Sequence, residues 1–125
     1  MPGMTIKGIQ EAQQANEHNI AQLRPSGSFG QLVRDVTTYV HRYAVTITHV
    51  VSGALRASHR MDVTSLRGTI YIDPAAVNPK GGRPADYGPI EEARGGEHAF
   101  YHRTATEAGP EAVATHSKIF LGTLK

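Results

Sequence analysis

Cysteine and tryptophan are both absent from this chain of 125 residues. The first absence excludes disulfides, thiolate metal sites and cysteine nucleophiles, and it fits a reducing compartment of synthesis. The second, together with only three Phe and a hydrophobic fraction of 39%, leaves little large apolar material for a core. The fold is therefore expected to depend in part on neighbouring subunits. No run approaches the roughly 20 apolar residues of a membrane span, and the opening MPGMTIKG lacks the apolar stretch of a signal peptide. The chain is accordingly expected to be made and kept in the cytosol, with no membrane partner. An excess of one charge is also missing: 13 basic residues stand against 11 acidic ones, a net charge of +2. The arginines are scattered (Arg24, Arg34, Arg42, Arg56, Arg60, Arg67, Arg83, Arg94, Arg103), whereas a nucleic-acid footprint clusters its positive charge.

What is present fits a single domain over 1–125, since a chain of this size buries enough surface to fold without staples. Thr5 to Lys7 can form a short extended piece, and Ile9 to Leu23 reads as a peripheral helix ended by Pro25. The next segment has the clearest pattern: Phe29, Leu32, Val33, Val36, Val40, Tyr43, Ala44 and Ile47 recur at steps of three and four, which predicts a long amphipathic helix. Ser26 or Ser28 is expected to cap its start. Ser52 offers a second cap, for a short helical turn over Gly53 to Ala57. From Met61 the apolar residues alternate, through Val63, Ser65, Ile70 and Ile72, predicting a β-hairpin broken at Arg67 and Gly68. The stretch from about 74 to 86, rich in Pro and Gly, is expected to be a flexible loop tipped by Lys80 and Arg83. Tyr87 to Glu92 is expected to return as a third strand. A closing helix then starts near Glu97 with Ala99, Phe100, Thr104 and Ala108 on one face. Gly109 and Pro110 are expected to interrupt it, leaving a separate piece to Leu121 with Val113, Ser117, Phe120 and Leu124 buried. The fold class is thus α+β: a long amphipathic helix and additional helices packed on a small antiparallel sheet of two to four strands.

Candidate chemistry is sparse. Seven histidines raise the question of a metal, and His98 with His102 has the i, i+4 spacing that places two imidazoles on one helix face. A third ligand at defined spacing is missing and there is no H-E-x-x-H pattern, so no metal or other cofactor is expected. His41, His49, His59 and His116 read as surface or interface residues. No G-x-S-x-G elbow, P-loop or G-x-G-x-x-G occurs, and Gly27-Ser28-Phe29-Gly30 has no strand before it, so no enzyme and no catalytic residue is expected.

Several segments carry a resemblance in their order along the chain. Ser52, Gly53, Leu55 and Ser58 lie in a turn of the form (T/S)-G-x-L-x-x-S, an alternating hairpin follows, and then come Tyr87, Ile90 and Glu91 with a glycine pair nearby. Ile6-Lys7-Gly8-Ile9 before the first helix and Ala99-Phe100 before the last complete the series. This arrangement resembles the minor tail-component, or tail-completion, family of lambda-like long-tailed bacteriophages. The loop at 74–86 and the Gly109-Pro110 break depart from the family's pattern. The resemblance implies a structural virion protein of the neck or tail, made in the host cytoplasm, that forms a homo-oligomeric ring and joins head to tail. Its implied partners are copies of itself, as a hexamer or a dodecamer, and other neck, head-completion or tail-tube proteins, with DNA only passing through the channel. Ring closure needs head-to-tail contacts between unlike faces, and the residues expected to supply them are Ser52, Gly53, Leu55, Arg56, Ser58, Lys80, Arg83, Tyr87, Glu91 and Glu92. The alternative reading is a small basic DNA-binding or regulatory module.

Overall fold

The computed structural model describes residues 8–49 and 53–125; the expected extended piece at Thr5 to Lys7 and the cap and contact expected of Ser52 lie outside them. The chain runs α1 (Ile9–Gln22), α2 (Ser28–Ile47), α3 (Ala54–Ala57), β1 (His59–Thr64), β2 (Arg67–Ile72), α4 (Pro84–Ala93), a 3-10 turn (Gly96–His98), α5 (Phe100–Arg103), a π-helical turn (Thr104–Ala108) and α6 (Gly109–Leu121). The fold is α+β, with helices packed on one two-stranded antiparallel sheet.

Helix α2 is the centre of the molecule, with α6 along one side and the hairpin along another. Its innermost line is Gly30, Thr37 and Ala44, spaced by seven so that they stack along one stripe. The larger apolar residues of the predicted face, Leu32, Val33, Val36, Val40, Tyr43 and Ile47, are only half-buried. Neighbours approach the helix closely where its side chains are smallest. Gly68 of β2 is the clearest case, because a Cβ there would fall 1.7 Å from Thr37 Oγ1. That close approach explains why Gly68 lies within a strand and not at the turn. The two-residue loop is Ser65-Leu66, with Ser65 at φ 56°, a sign of φ that suits the twist of a tight hairpin. Register runs from His59 opposite Ile72 to Thr64 opposite Arg67.

Two expectations are corrected. The start of α2 is not capped by Ser26 or Ser28: Gly27 is the N-cap residue with no side-chain cap. Ser28 instead donates its backbone N–H to Gln22 Oε1, and its hydroxyl bonds Thr123 Oγ1 at 2.6 Å. The segment Tyr87 to Glu92 is helix, not strand. Its buried residues, Pro84 and Gly88, are four apart, a helical spacing that lays α4 on Leu55 and Ile72, while Pro84 in the first turn presets φ for the helix. The C-terminal helix does give way at Gly109-Pro110, to α6 as a separate piece with Pro110 in its first turn, where proline is tolerated; the five residues before it form a π-helical turn.

The core is small, made mostly of small apolar residues with several polar ones among them. Among the described residues the buried apolar side chains larger than alanine are Leu55, Pro84 and Phe100, joined by Ala44, Ala99, Ala108 and Ala112. Ala99, Phe100, Thr104 and Ala108 do share one inward face, as their spacing predicts. Val113 does not, at 52% exposed, because α6 turns Ala112 toward α2 in its place. Thr37, Thr48, Ser58 and Thr104 are buried among these residues. Each hydroxyl donates to a carbonyl three or four residues back, on Val33, Ala44, Leu55 and Phe100 respectively, which removes the cost of an unpaired buried donor.

Candidate functional site

Most residues expected at a subunit contact are held by bonds within the chain. Gly53 stands at φ 85° ahead of α3, a left-handed conformation that glycine adopts without strain. Leu55 is buried beneath α4, and the Ser58 hydroxyl is spent on Leu55 O. Arg56 donates to the carbonyls of Thr46 and Thr48, fastening α3 to the end of α2. Glu92 accepts the backbone N–H groups of Tyr101 and His102, a carboxylate at the start of a helix where donors lack partners. Arg83 donates to Pro74 O and lies 4.0 Å from Asp86. The loop behind Arg83 closes on Asn78, whose Oδ1 accepts from Lys80 N and Gly82 N. Lys80 is left at an exposed tip and Tyr87 half-buried.

Glu91 is the hub of a second group. His98 Nδ1 donates to its Oε1, Arg94 Nη1 donates to its Oε2 at 3.2 Å, and His49 Nδ1 lies 3.8 Å from Oε1. The His98 hydrogen bond foremost, with the charges of His98 and Arg94, holds the Glu91 carboxyl below its ordinary pKa. Sequence spacing paired His98 with His102, but the fold turns His102 outward and brings His98 onto His49 and Glu91. Among the described residues, His49, Glu91 and His98 are the histidines and carboxylate placed to hold a metal ion. No spacing rule finds this set, because its members come from three separate parts of the chain: the end of α2, α4 and the 3-10 turn.

A further group went unread in the sequence. His59, expected at the surface, is 3% exposed. Thr48 Oγ1 donates to Ala44 O, so it accepts from His59 Nε2 at 2.7 Å, while Tyr101 O–H donates to His59 Nδ1 at 2.9 Å. This arrangement satisfies one donor and one acceptor of a neutral imidazole. Phe100 and Tyr101 meet the ring edge to face, with centroids 5.2 and 5.3 Å away. Burial, with lesser repulsion from His41 and Arg60, lowers the His59 pKa to about 4. Burial and the Glu92 charge raise that of Tyr101.

The open surfaces are of two kinds. Leu32, Val33, Val36 and Val113 line an apolar groove of about 210 Å³ between α2 and α6. A larger groove of about 480 Å³ runs over Asp35, Tyr39, Arg42, Tyr43 and His116. Further apolar side chains stand exposed on α1 (Ile9, Ile20) and just after it (Leu23), and on α6 (Ile119, Leu121). No helix among the described residues is long and apolar enough to cross a membrane. Comparison with family models, curated proteins and solved structures gives no match to this chain.

Proposed function

We propose that this chain is a structural ring subunit of a bacteriophage neck or tail-completion region, acting by packing against copies of itself and not by catalysis. The observation that carries this reading is the imbalance between its core and its surface. Only three apolar side chains larger than alanine are buried among the described residues, while the apolar groove between α2 and α6 and the apolar residues of α1 lie open. Surfaces of this kind on a small domain are completed by association. The order of sequence motifs supplies the rest of the support, from the Ser52-Gly53 turn through the hairpin to Ala99-Phe100. Tyr87, Ile90 and Glu91 lie on a helix, so that part of the resemblance rests on sequence order and not on a strand.

The arrangement of polar groups agrees with adhesion. His59 is the buried imidazole, and both its nitrogens are occupied by Thr48 and Tyr101, leaving none to act as a general base. Arg34, Arg56, Arg60, Arg83, Arg94 and Arg103 all donate to carbonyls or carboxylates of the chain itself, which leaves little of a free phosphate-binding stripe.

Light scattering and negative-stain imaging of the purified full-length chain test the reading directly. The expected result is a closed ring, hexameric or dodecameric, whose subunit count does not change with salt. A monomer at every concentration, combined with affinity for duplex DNA that falls steeply with salt, would replace it with the DNA-binding alternative.

A further inference from the structure

Three side chains from separate parts of the chain converge beside the C-terminal end of α2. His49 follows that helix closely, Glu91 sits near the end of α4, and His98 closes the 3-10 turn. The Oε1 oxygen of Glu91 faces both imidazoles, accepting from His98 Nδ1 and lying 3.8 Å from His49 Nδ1. The two rings meet edge to face with centroids 4.4 Å apart, and one ligand atom from each of the three residues lies within 4.8 Å of the other two. We propose that His49, Glu91 and His98 bind a single divalent transition-metal ion of the zinc class.

The donor set selects the ion. Two imidazole nitrogens and one carboxylate oxygen suit zinc and its first-row neighbours, whereas calcium and magnesium require oxygen donors. Donors about 2.1 Å from a tetrahedral ion stand roughly 3.4 Å apart, so side-chain adjustments of about an ångström bring the three into position.

The surroundings already have the form that supports a bound ion. Ligating carboxylates are normally held by a hydrogen bond on the second oxygen, and ligating histidines by a carboxylate on the second nitrogen. Arg94 takes Glu91 Oε2 at 3.2 Å, and Glu97 Oε1 lies 3.9 Å from His49 Nε2. The side chains of Glu91, His98 and His49 are 18%, 22% and 43% exposed, so an ion can enter and keep water in its fourth position. Binding exchanges partners: the ion takes the His98 Nδ1 position now hydrogen-bonded to Glu91, and the ligating ring is a neutral imidazole with its one proton on Nε2. The bound ion ties the end of α2 to α4 and to the 3-10 turn, whatever the assembly state of the chain.

Calorimetric titration of the chelator-stripped full-length chain with Zn²⁺ tests this, with Co²⁺ absorption reporting ligand geometry. The expected result is one ion per chain, a dissociation constant of about 1 µM or tighter, and a raised melting temperature at saturation. H49A, which removes a partly exposed ring, and the isosteric E91Q should each weaken binding by about 10- to 100-fold or more with unchanged far-UV circular dichroism. Absence of saturable Zn²⁺ binding by the unmodified chain overturns the site, as does either variant binding as well as the unmodified chain.

Discussion

Burial keeps the imidazole of His59 neutral, and the cost of charging it links stability to pH. Its pKa lies near 4 in the folded chain against roughly 6.5 when unfolded. Between those values the unfolded chain binds the proton and the folded chain does not, so stability rises with pH across the window and is complete above pH 6.5. On acidification it is lost from about pH 6.5 down to about pH 4, where both states are protonated. A shift of this size corresponds to roughly 3 kcal/mol over the whole window and about 2 kcal/mol between pH 7 and pH 5. Urea unfolding at those two pH values should show that loss in the natural chain and little of it in H59Q, whose amide has no proton to gain. The composition gives no hint of this role. His59 alternates with exposed residues at the start of a strand, and only the arrival of Phe100 and Tyr101, some forty residues later in the chain, takes it out of water.

The elements meet where glycine permits them to. Gly30 opens the first turns of α2 against the corner that follows α1, and a Cβ there would lie 1.9 Å from Pro25 O and 2.6 Å from Pro25 C. Backbone atoms cannot swing aside as a side-chain tip can, so G30A must open the α1–α2 corner. A loss of about 1–3 kcal/mol is expected, the usual cost of overpacking a close contact, read as a lower urea midpoint with an unchanged slope. The long helices themselves were legible because their apolar period is 3.6 residues and Pro25 ends the first. Helix α4 was not legible: Tyr87 to Glu92 has no clear period of its own, and its helical state is decided by Pro84 and Gly88 packing on the hairpin. The start of α6 at Gly109-Pro110 was legible, since proline suits a first helical turn; the π-helical turn before it was not, because it comes with Thr104 and Ala108 being buried.

At the scale of the whole molecule, the proposed self-association would make stability depend on concentration. Any state that covers the groove of Leu32, Val33, Val36 and Val113 is favoured by mass action, so the melting temperature should rise with protein concentration. V113D places a charge at the rim of that groove on a residue already 52% exposed. It should abolish the concentration dependence and leave a folded, less stable chain, as differential scanning calorimetry at several concentrations would show. A melting temperature independent of concentration in the natural chain would mean that the groove stays open.

The sequence by itself determined the class of fold, the span of α1 and α2, the hairpin, the inward face at Ala99, Phe100, Thr104 and Ala108, and the shortage of apolar material. All of these depend on local periodicity or on composition, which a linear chain displays directly. Tertiary structure alone decided that Glu91 stands between His49 and His98, that His59 is buried, and that Arg56 and Glu92 are spent on the chain's own backbone. Those outcomes come from side chains 7 to 49 residues apart meeting across packed elements, and the free energy that selects them belongs to the contact, not to either residue.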